Sequence, residues 1–339
     1  MSSSFYEFLG EHAQEINDYL ARYFRHQTDN ADMERYLYAP LGHYSANAGK
    51  RHRPLICMLA ATAVGGEPSH AMSCAAAIEH FQSAALIHDD IADNGQLRRG
   101  EPCLHISEGV GIAINCGDYA LSLTCAAVAN DPALDDALKV RLIRELTAMT
   151  ARTIEGQALD LGWVRDGRFD LNIEDYLVMA THKTAFYSGA VPLACGAIIG
   201  GGSEEQIEVL RSFGLNTGLA FQIQDDLLNL VGKKEAANKD FRSDITEGKR
   251  TLVAVHALNY AGTAEHDELM GILTSGTEDA DLLARAVEIM QNNGSIAFAR
   301  SYAMELTEAA KAALESIELD EHCRELLLSM ADFFVERLN

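Results

Sequence analysis

The sequence predicts an all-α protein, and three observations predict it. Apolar residues recur at i, i+3, i+4 and i+7 through segments such as AMSCAAAIEHFQSAALIHDD and DALKVRLIRELTAMTARTIEGQALDL. Runs of alternating β-branched residues are scarce. Six prolines in 339 residues leave room for long helices. No long linker, charge block or low-complexity tract interrupts the pattern. Residues 1–339 therefore read as one large helical domain of roughly ten or more helices, bigger than the usual domain.

Each element follows from local chemistry. The first stretch, MSSSFYEFLGEHAQ, has early acids and no apolar core, which argues against a signal peptide. GKRHRP at 49–54 opens an apolar helix that VGGEPS breaks. The next helix runs through SAALIH into HDDIADNGQLRRG, residues 88–100. ANDPAL and RDGRFD bracket the segment that carries EGQALDL. Thr184 to Ser203 is uncharged and approaches membrane-span length. It also contains Pro192 and five glycines, so a buried core helix with a glycine-rich turn explains it better. GLAFQIQDDLLN is again helical and VGKKEAANKD is a turn. From about Tyr260, amphipathic segments such as DLLARAVEIM and AKAALESIEL complete the bundle.

A formal net charge of −23 argues against a nucleic-acid binder, because phosphate backbones demand a basic face. The seven cysteines are odd in number and lack CxxC spacing, as expected of buried reduced thiols in a cytoplasmic protein.

The densest acid cluster is DDIAD at 89–93, and DDLLN at 225–229 echoes it. Both follow apolar helical runs, which suggests two clusters facing each other across a bundle. On a helix, Asp89, Asp90 and Asp93 would project from one face with neighbouring side chains about 5–6 Å apart. Like charges at that spacing repel, and a divalent cation relieves them. Carboxylates without histidine or thiolate partners suit magnesium or calcium, and the twelve-residue calcium-loop pattern is absent. Basic groups accompany the clusters: Arg98 and Arg99 just past the first, Lys50 and Arg53, which are three apart and so on one face if that helix begins early, Lys249 and Arg250 with Lys239 upstream, and Lys183 in THKTAF. Arginine forks suit phosphate oxygens. Together these residues describe a cavity that collects pyrophosphates.

With these motifs in this order, the sequence resembles the trans-isoprenyl diphosphate synthases from about Gly49 to about Leu258. The markers are GKRHRP, LIHDDIADNGQLRRGEP, AINCGD, EGQALDL, HKTAF, GLAFQIQDDLLN and SDITEGKRTL. The resemblance implies an all-α bundle around a deep central cavity (the isoprenoid synthase fold) and a homodimer. It implies a magnesium-assisted condensation: an allylic diphosphate ionises, its cation alkylates isopentenyl diphosphate, and loss of a proton ends the cycle. Asp89 and Asp93 would ligand two magnesium ions with Asp90 in support. Asp225 would hold another, with Asp226 nearby, making about three ions in all. Arg98, Lys183, Lys239 and Lys249 would grip the allylic diphosphate. Lys50, Arg53 and Arg99 would grip isopentenyl diphosphate, and Gln82 would donate to a diphosphate oxygen. Thr184 and Gln222 would face the reacting carbons.

Two departures stand out. Asn229 replaces the last aspartate of the second motif, and Gln82 stands where many bacterial members have histidine. Both are read as compatible with binding. In the family, residues four and five before the first aspartate set product length. Here they are Ala85 and Ala84, and the next large residue is Phe81, about one 5.4 Å turn deeper. That predicts geranylgeranyl diphosphate, twenty carbons long. Longer or fifteen-carbon products follow instead if a neighbouring helix sets the floor. A cyclase or head-to-head enzyme fits DDLLN and RRG poorly. A non-catalytic partner subunit would be expected to lack one acid cluster.

Overall fold

A computed structural model describes residues 4–47, 49–232 and 242–335. Its helices are α1 (Ser4–Ala21), α2 (Ala31–Met33), α3 (Ala39–Ala46), α4 (His52–Ala63), α5 (Met72–Ala92), α6 (Leu104–Ser107), α7 (Val110–Ala129), α8 (Asp136–Arg165) and α9 (Ile173–Ala180). They continue as α10 (Val191–Ile199), α11 (Glu204–Val231), α12 (Ser243–Thr246), α13 (Leu252–Tyr260), α14 (Thr263–Ser275), α15 (Ala280–Asn292), α16 (Ser295–Leu314) and α17 (Glu321–Val335). Glu34–Tyr38 and Thr181–Ala190 are π-helical, and Pro68–Ala71 is a 3-10 turn. Among the described residues the only sheet is a hairpin of β1 (Leu97–Arg98) and β2 (Glu101–Pro102). The chain forms two compact units. One comprises Met1–Thr150, Gly189–Arg211 and Leu314–Met330; the other comprises Ala151–Ser188, Ser212–Ala313 and Ala331–Asn339.

In the first unit, α5 is alanine-rich and apolar nearly all round, so it is buried along most of its length. It packs on α4 and α7. Phe24, Leu41, Ala84, Ile87, Leu104, Ala113, Cys116 and Ala120 form the core beside it. Each large buried side chain of this kind contributes roughly 1.5–3 kcal/mol. By length and composition α7 could cross a membrane, yet 44% of that stretch is buried within the protein. The uncharged segment around Pro192 becomes α10, with Val191 to Ile198 buried. Pro192 lies in its first turn, directly after the π-helical Thr181–Ala190. Gly196 lets α10 approach α4, since a Cβ there would lie 2.0 Å from the Cys57 carbonyl oxygen.

In the second unit, a larger apolar cluster joins Tyr176 and Met179 of α9, Ile223 and Leu227 of α11, Val253 of α13 and Ile289 of α15. A capping box starts α9: Asn172 Oδ1 accepts from the Asp175 N–H at 3.1 Å, and Asp175 Oδ2 accepts from the Asn172 N–H at 2.9 Å. Thr251 caps α13 by accepting from the Ala254 N–H, and Asp279 caps α15 by accepting from the Asp281 and Leu282 N–H groups.

Candidate active site

The first acid cluster sits where α5 stops. Asp93 is its C-cap, Asn94 takes a left-handed backbone with φ 52°, and the Gly95 N–H returns to the Asp90 carbonyl at 2.9 Å. Asp89 and Asp93, four residues apart, are half-buried, whereas Asp90 is 2% exposed. The expectation that all three share one face is thus corrected. Consecutive helical residues lie about 100° apart, so Asp90 turns inward while its neighbours stay accessible.

Arg98 meets Asp90 there, its Nε donating to Oδ1 at 2.9 Å and its Nη2 reaching the same oxygen. The other carboxylate oxygen of Asp90 is buried with no hydrogen-bond partner among the described residues. RRGEP is a hairpin: Leu97 pairs with Pro102 and Arg98 with Glu101. The two turn residues, Arg99 and Gly100, both have positive φ, 55° and 83°, as a tight two-residue hairpin requires. Arg99 extends to the 45–50 segment. Its Nη1 donates to the Asn47 carbonyl at 2.8 Å, and a Cβ on Gly49 would lie 3.4 Å from its Nη2. Tyr44, Arg98 and Arg99 line a cavity of about 330 Å³, together with Arg35, His43 and Glu101.

GKRHRP is less helical than its spacing suggests. Arg51 adopts φ 53° and α4 begins only at His52, so the idea that Lys50 and Arg53 share a helix face does not hold. Lys50 is exposed, with its Nζ 5.5 Å from the Tyr6 ring centroid, while Arg53 is buried. Arg51, which the sequence reading passed over, is a buried pin. It pairs with Glu79, donates to the Ser45 carbonyl and donates through Nε to Asn17 Oδ1 at 2.8 Å. On α5, Phe81, Gln82 and Ala84 are buried and Ala85 is half-buried. The Gln82 side-chain oxygen has no hydrogen-bond partner among the described residues.

The second cluster, in the other unit, repeats the first doublet's logic. Asp225 is half-buried and Asp226 is buried and held. Tyr176 Oη donates to Asp226 Oδ2 at 2.9 Å, and Gln222 Nε2 donates to Oδ1 at 2.7 Å. Thr184 Oγ1 donates to Gln222 Oε1 at 2.7 Å. Burial, with Asp244 adding repulsion, pushes the Asp226 carboxyl up to about 8, although Gln222 and Tyr176 pull it back. Burial, then the Asp226 charge, holds the Tyr176 phenol well above its ordinary range.

Lys183 and Thr184 belong to the π-helical Thr181–Ala190, a geometry that recurs at functional sites. Lys183 Nζ lies 2.5 Å from Asp160 Oδ2, so the EGQALDL motif supplies its counter-charge. Glycines on two helices allow this stretch its close neighbours. A Cβ at Gly156 of α8 would fall 2.2 Å from the Lys183 backbone nitrogen, and one at Gly218 of α11 would fall 2.9 Å from the Ala185 carbonyl oxygen.

Lys249 Nζ lies 2.7 Å from Glu247 Oε2 and 4.0 Å from Asp244 Oδ1. Arg250 is pinned by the Arg168 carbonyl at 2.6 Å and stacks 3.9 Å above the Phe169 ring. Asn229 anchors the start of α12 with both ends of its amide: Nδ2 donates to Ser243 Oγ at 3.2 Å and Oδ1 accepts from the Asp244 N–H at 3.2 Å. Lys239 lies outside the described residues.

Among the described residues, no three His, Cys, Asp or Glu side chains converge as a ready cation cage. The accessible carboxylates Asp89, Asp93 and Asp225 nonetheless fit a hard divalent ion. Magnesium commonly takes one or two protein carboxylates and completes its shell with water and substrate phosphate.

Residues 34–290 match the family model described as polyprenyl synthetase. The chain is 40% identical over 295 residues to a short chain isoprenyl diphosphate synthase of Methanothermobacter thermautotrophicus, covering 87% of this chain and 88% of that one. Geranylgeranyl pyrophosphate synthetase from Pyrococcus horikoshii matches with a TM-score of 0.90 and 32% identity over 98% of both chains. Geranylgeranyl pyrophosphate synthase from Corynebacterium glutamicum, solved with isoprenyl diphosphate and magnesium, matches with a TM-score of 0.87 and 28% identity over 99% of both.

Proposed function

The chain belongs to the polyprenyl synthetase family and is a prenyltransferase that elongates prenyl diphosphates, and from that premise we propose that it makes geranylgeranyl diphosphate. The observation that carries the reading is the paired doublet. In each, the first aspartate is accessible and the second is buried and anchored, by Arg98 in one case and by Tyr176 with Gln222 in the other.

In this proposal Asp89, Asp93 and Asp225 hold magnesium, which when bound neutralises charge building on the diphosphate leaving group. Arg98, Lys183 and Lys249, with Lys239, bind the allylic diphosphate by charge-assisted hydrogen bonds. Lys50, Gln82, Arg53 and Arg99 bind isopentenyl diphosphate. Thr184 and Gln222 present oxygen dipoles to the allylic cation. Apolar helix walls exclude the water that would quench it. Ala84 and Ala85 leave room for the growing chain, and Phe81 sets its end at twenty carbons. The whole chain works as one catalytic domain, as a cytoplasmic homodimer.

The test is incubation of the purified protein with isopentenyl diphosphate and dimethylallyl, geranyl or farnesyl diphosphate, with products resolved by length. A twenty-carbon product, lost in Asp89→Ala and in Asp225→Ala, supports the reading. Full activity in folded forms of both variants overturns it, and no product from the protein alone makes it a partner subunit. Products ending at fifteen or at more than twenty carbons reject the length assignment only.

A further inference from the structure

We infer that Tyr176 is a positioning residue for prenyl transfer, acting through Asp226 to hold the Gln222 amide with its carbonyl oxygen toward Thr184. The inference rests on the reaction proposed above. Tyr176 is 1% exposed and sits in the apolar cluster with Ile223, Leu227 and Val253. A hydroxyl placed there needs a partner, because an unpaired buried polar group is costly. Its partner is Asp226 Oδ2 at 2.9 Å.

The rest of the chain of contacts follows from that bond. A carboxyl group has two oxygens, and Tyr176 occupies one of them. That leaves Oδ1 for the Gln222 amide, which meets it with its NH2 end at 2.7 Å. The opposite end of the amide, Oε1, then accepts from Thr184 Oγ1 at 2.7 Å. A flipped amide would give up the Nε2 bond to Oδ1 and turn its N–H groups, not its oxygen, toward Thr184. With the Thr184 proton committed to Gln222, the remaining lone pairs of Thr184 Oγ1 and Gln222 Oε1 are what this pair offers an allylic cation. Without Tyr176, Asp226 loses the bond that fixes its carboxyl plane, and the amide seated on Oδ1 is free to turn, presenting N–H groups instead. Tyr176 is 50 residues from Asp226 in sequence, and its role emerges only once α9 lies against α11.

Tyr176→Phe keeps the ring and removes the hydroxyl. We expect kcat to fall about tenfold, the effect of one directed hydrogen bond. The KM for both diphosphates and the magnesium concentration at half-maximal rate should stay at parental values. In a Gln222→Ala background, Tyr176→Phe should cause no further loss, because it acts through that amide. If Tyr176→Phe does not fold, Asp226→Asn carries the test, since its amide lets Gln222 turn over; the same drop in kcat at constant KM is expected. Parental kcat in a folded Tyr176→Phe, or in Asp226→Asn when that stands in for it, overturns the inference and leaves the proposed reaction standing. So does a loss that multiplies with that of Gln222→Ala. A parental protein that makes no prenyl product sinks both.

Discussion

Gly156→Ala is the most direct test of how α8 places the Lys183 segment. The added methyl carbon would lie 2.2 Å from the Lys183 nitrogen, 2.7 Å from its Cα and 2.8 Å from the His182 carbonyl carbon. All three are backbone atoms, so no side-chain rotation relieves the clash. Restoring an ordinary 3.4 Å contact requires the π-helical stretch to recede by about 1.2 Å, the difference between 3.4 and 2.2 Å. A displacement of about 1 Å in a group that positions substrate can cost about 100-fold in rate. Overpacking of this kind also costs about 1–3 kcal/mol of stability, against a helix-propensity gain of about 1 kcal/mol. Gly162 supplies the matched control: it lies on the same helix, and a Cβ there meets nothing within 4 Å. Gly162→Ala should therefore keep its activity and melt slightly higher. Steady-state kinetics and thermal melts of the two variants decide the matter. A Gly156→Ala protein with parental kcat and melting temperature would refute the close-packing argument.

Product length is the second prediction: Ala84→Phe should shorten the product by one five-carbon unit and Phe81→Ala should lengthen it, read by chromatography. The third concerns acid. His80 is 2% exposed, in edge contact with the Tyr23 and Phe24 rings, and burial followed by the Arg51 charge lowers its pKa from 6.5 to about 3. The folded chain keeps His80 neutral while the unfolded chain takes up a proton below pH 6.5. Stability should thus fall as pH drops from 6.5 toward 3, with about 1.4 kcal/mol lost at pH 5.5. His80→Gln should flatten that part of a denaturation-against-pH curve. The fourth is Asn229→Asp, which removes the donor to Ser243 and adds charge beside Asp244. It should lower stability by about 1–2 kcal/mol in urea unfolding.

Much of the architecture is legible in periodicity. The runs before DDIAD and DDLLN are long helices, α5 and α11, and the uncharged stretch around Pro192 is the buried α10 followed by its glycine turn. What escapes a linear reading depends on partners distant in sequence or on backbone angles. Periodicity puts three aspartates together, but only the presence of Arg98 shows that Asp90 belongs inside. Arg51 in a left-handed conformation delays α4 and defeats the spacing argument for Lys50 and Arg53. RRG could have been read as a hairpin turn from its glycine, yet two-residue strands leave no alternation to detect. The glycines of EGQALDL and GLAFQIQDD acquire a reason only when Lys183 and Ala185 are seen against them.

The ion pair at the end of α5 has a further consequence. Arg98 devotes two of its five N–H donors to one oxygen of a carboxylate that is 2% exposed. Stripping the guanidinium away would strand that carboxylate at a cost of about 3–5 kcal/mol. In the role proposed for Arg98, an arriving diphosphate would leave this pair intact and dock on the donors left over, so that the cation would bridge an internal and an external negative group. Its charge is already matched by Asp90, so a monovalent anion such as chloride would find little to gain there. Only a ligand bearing several oxygens, able to recruit other cations at once, is well served by such a bridge.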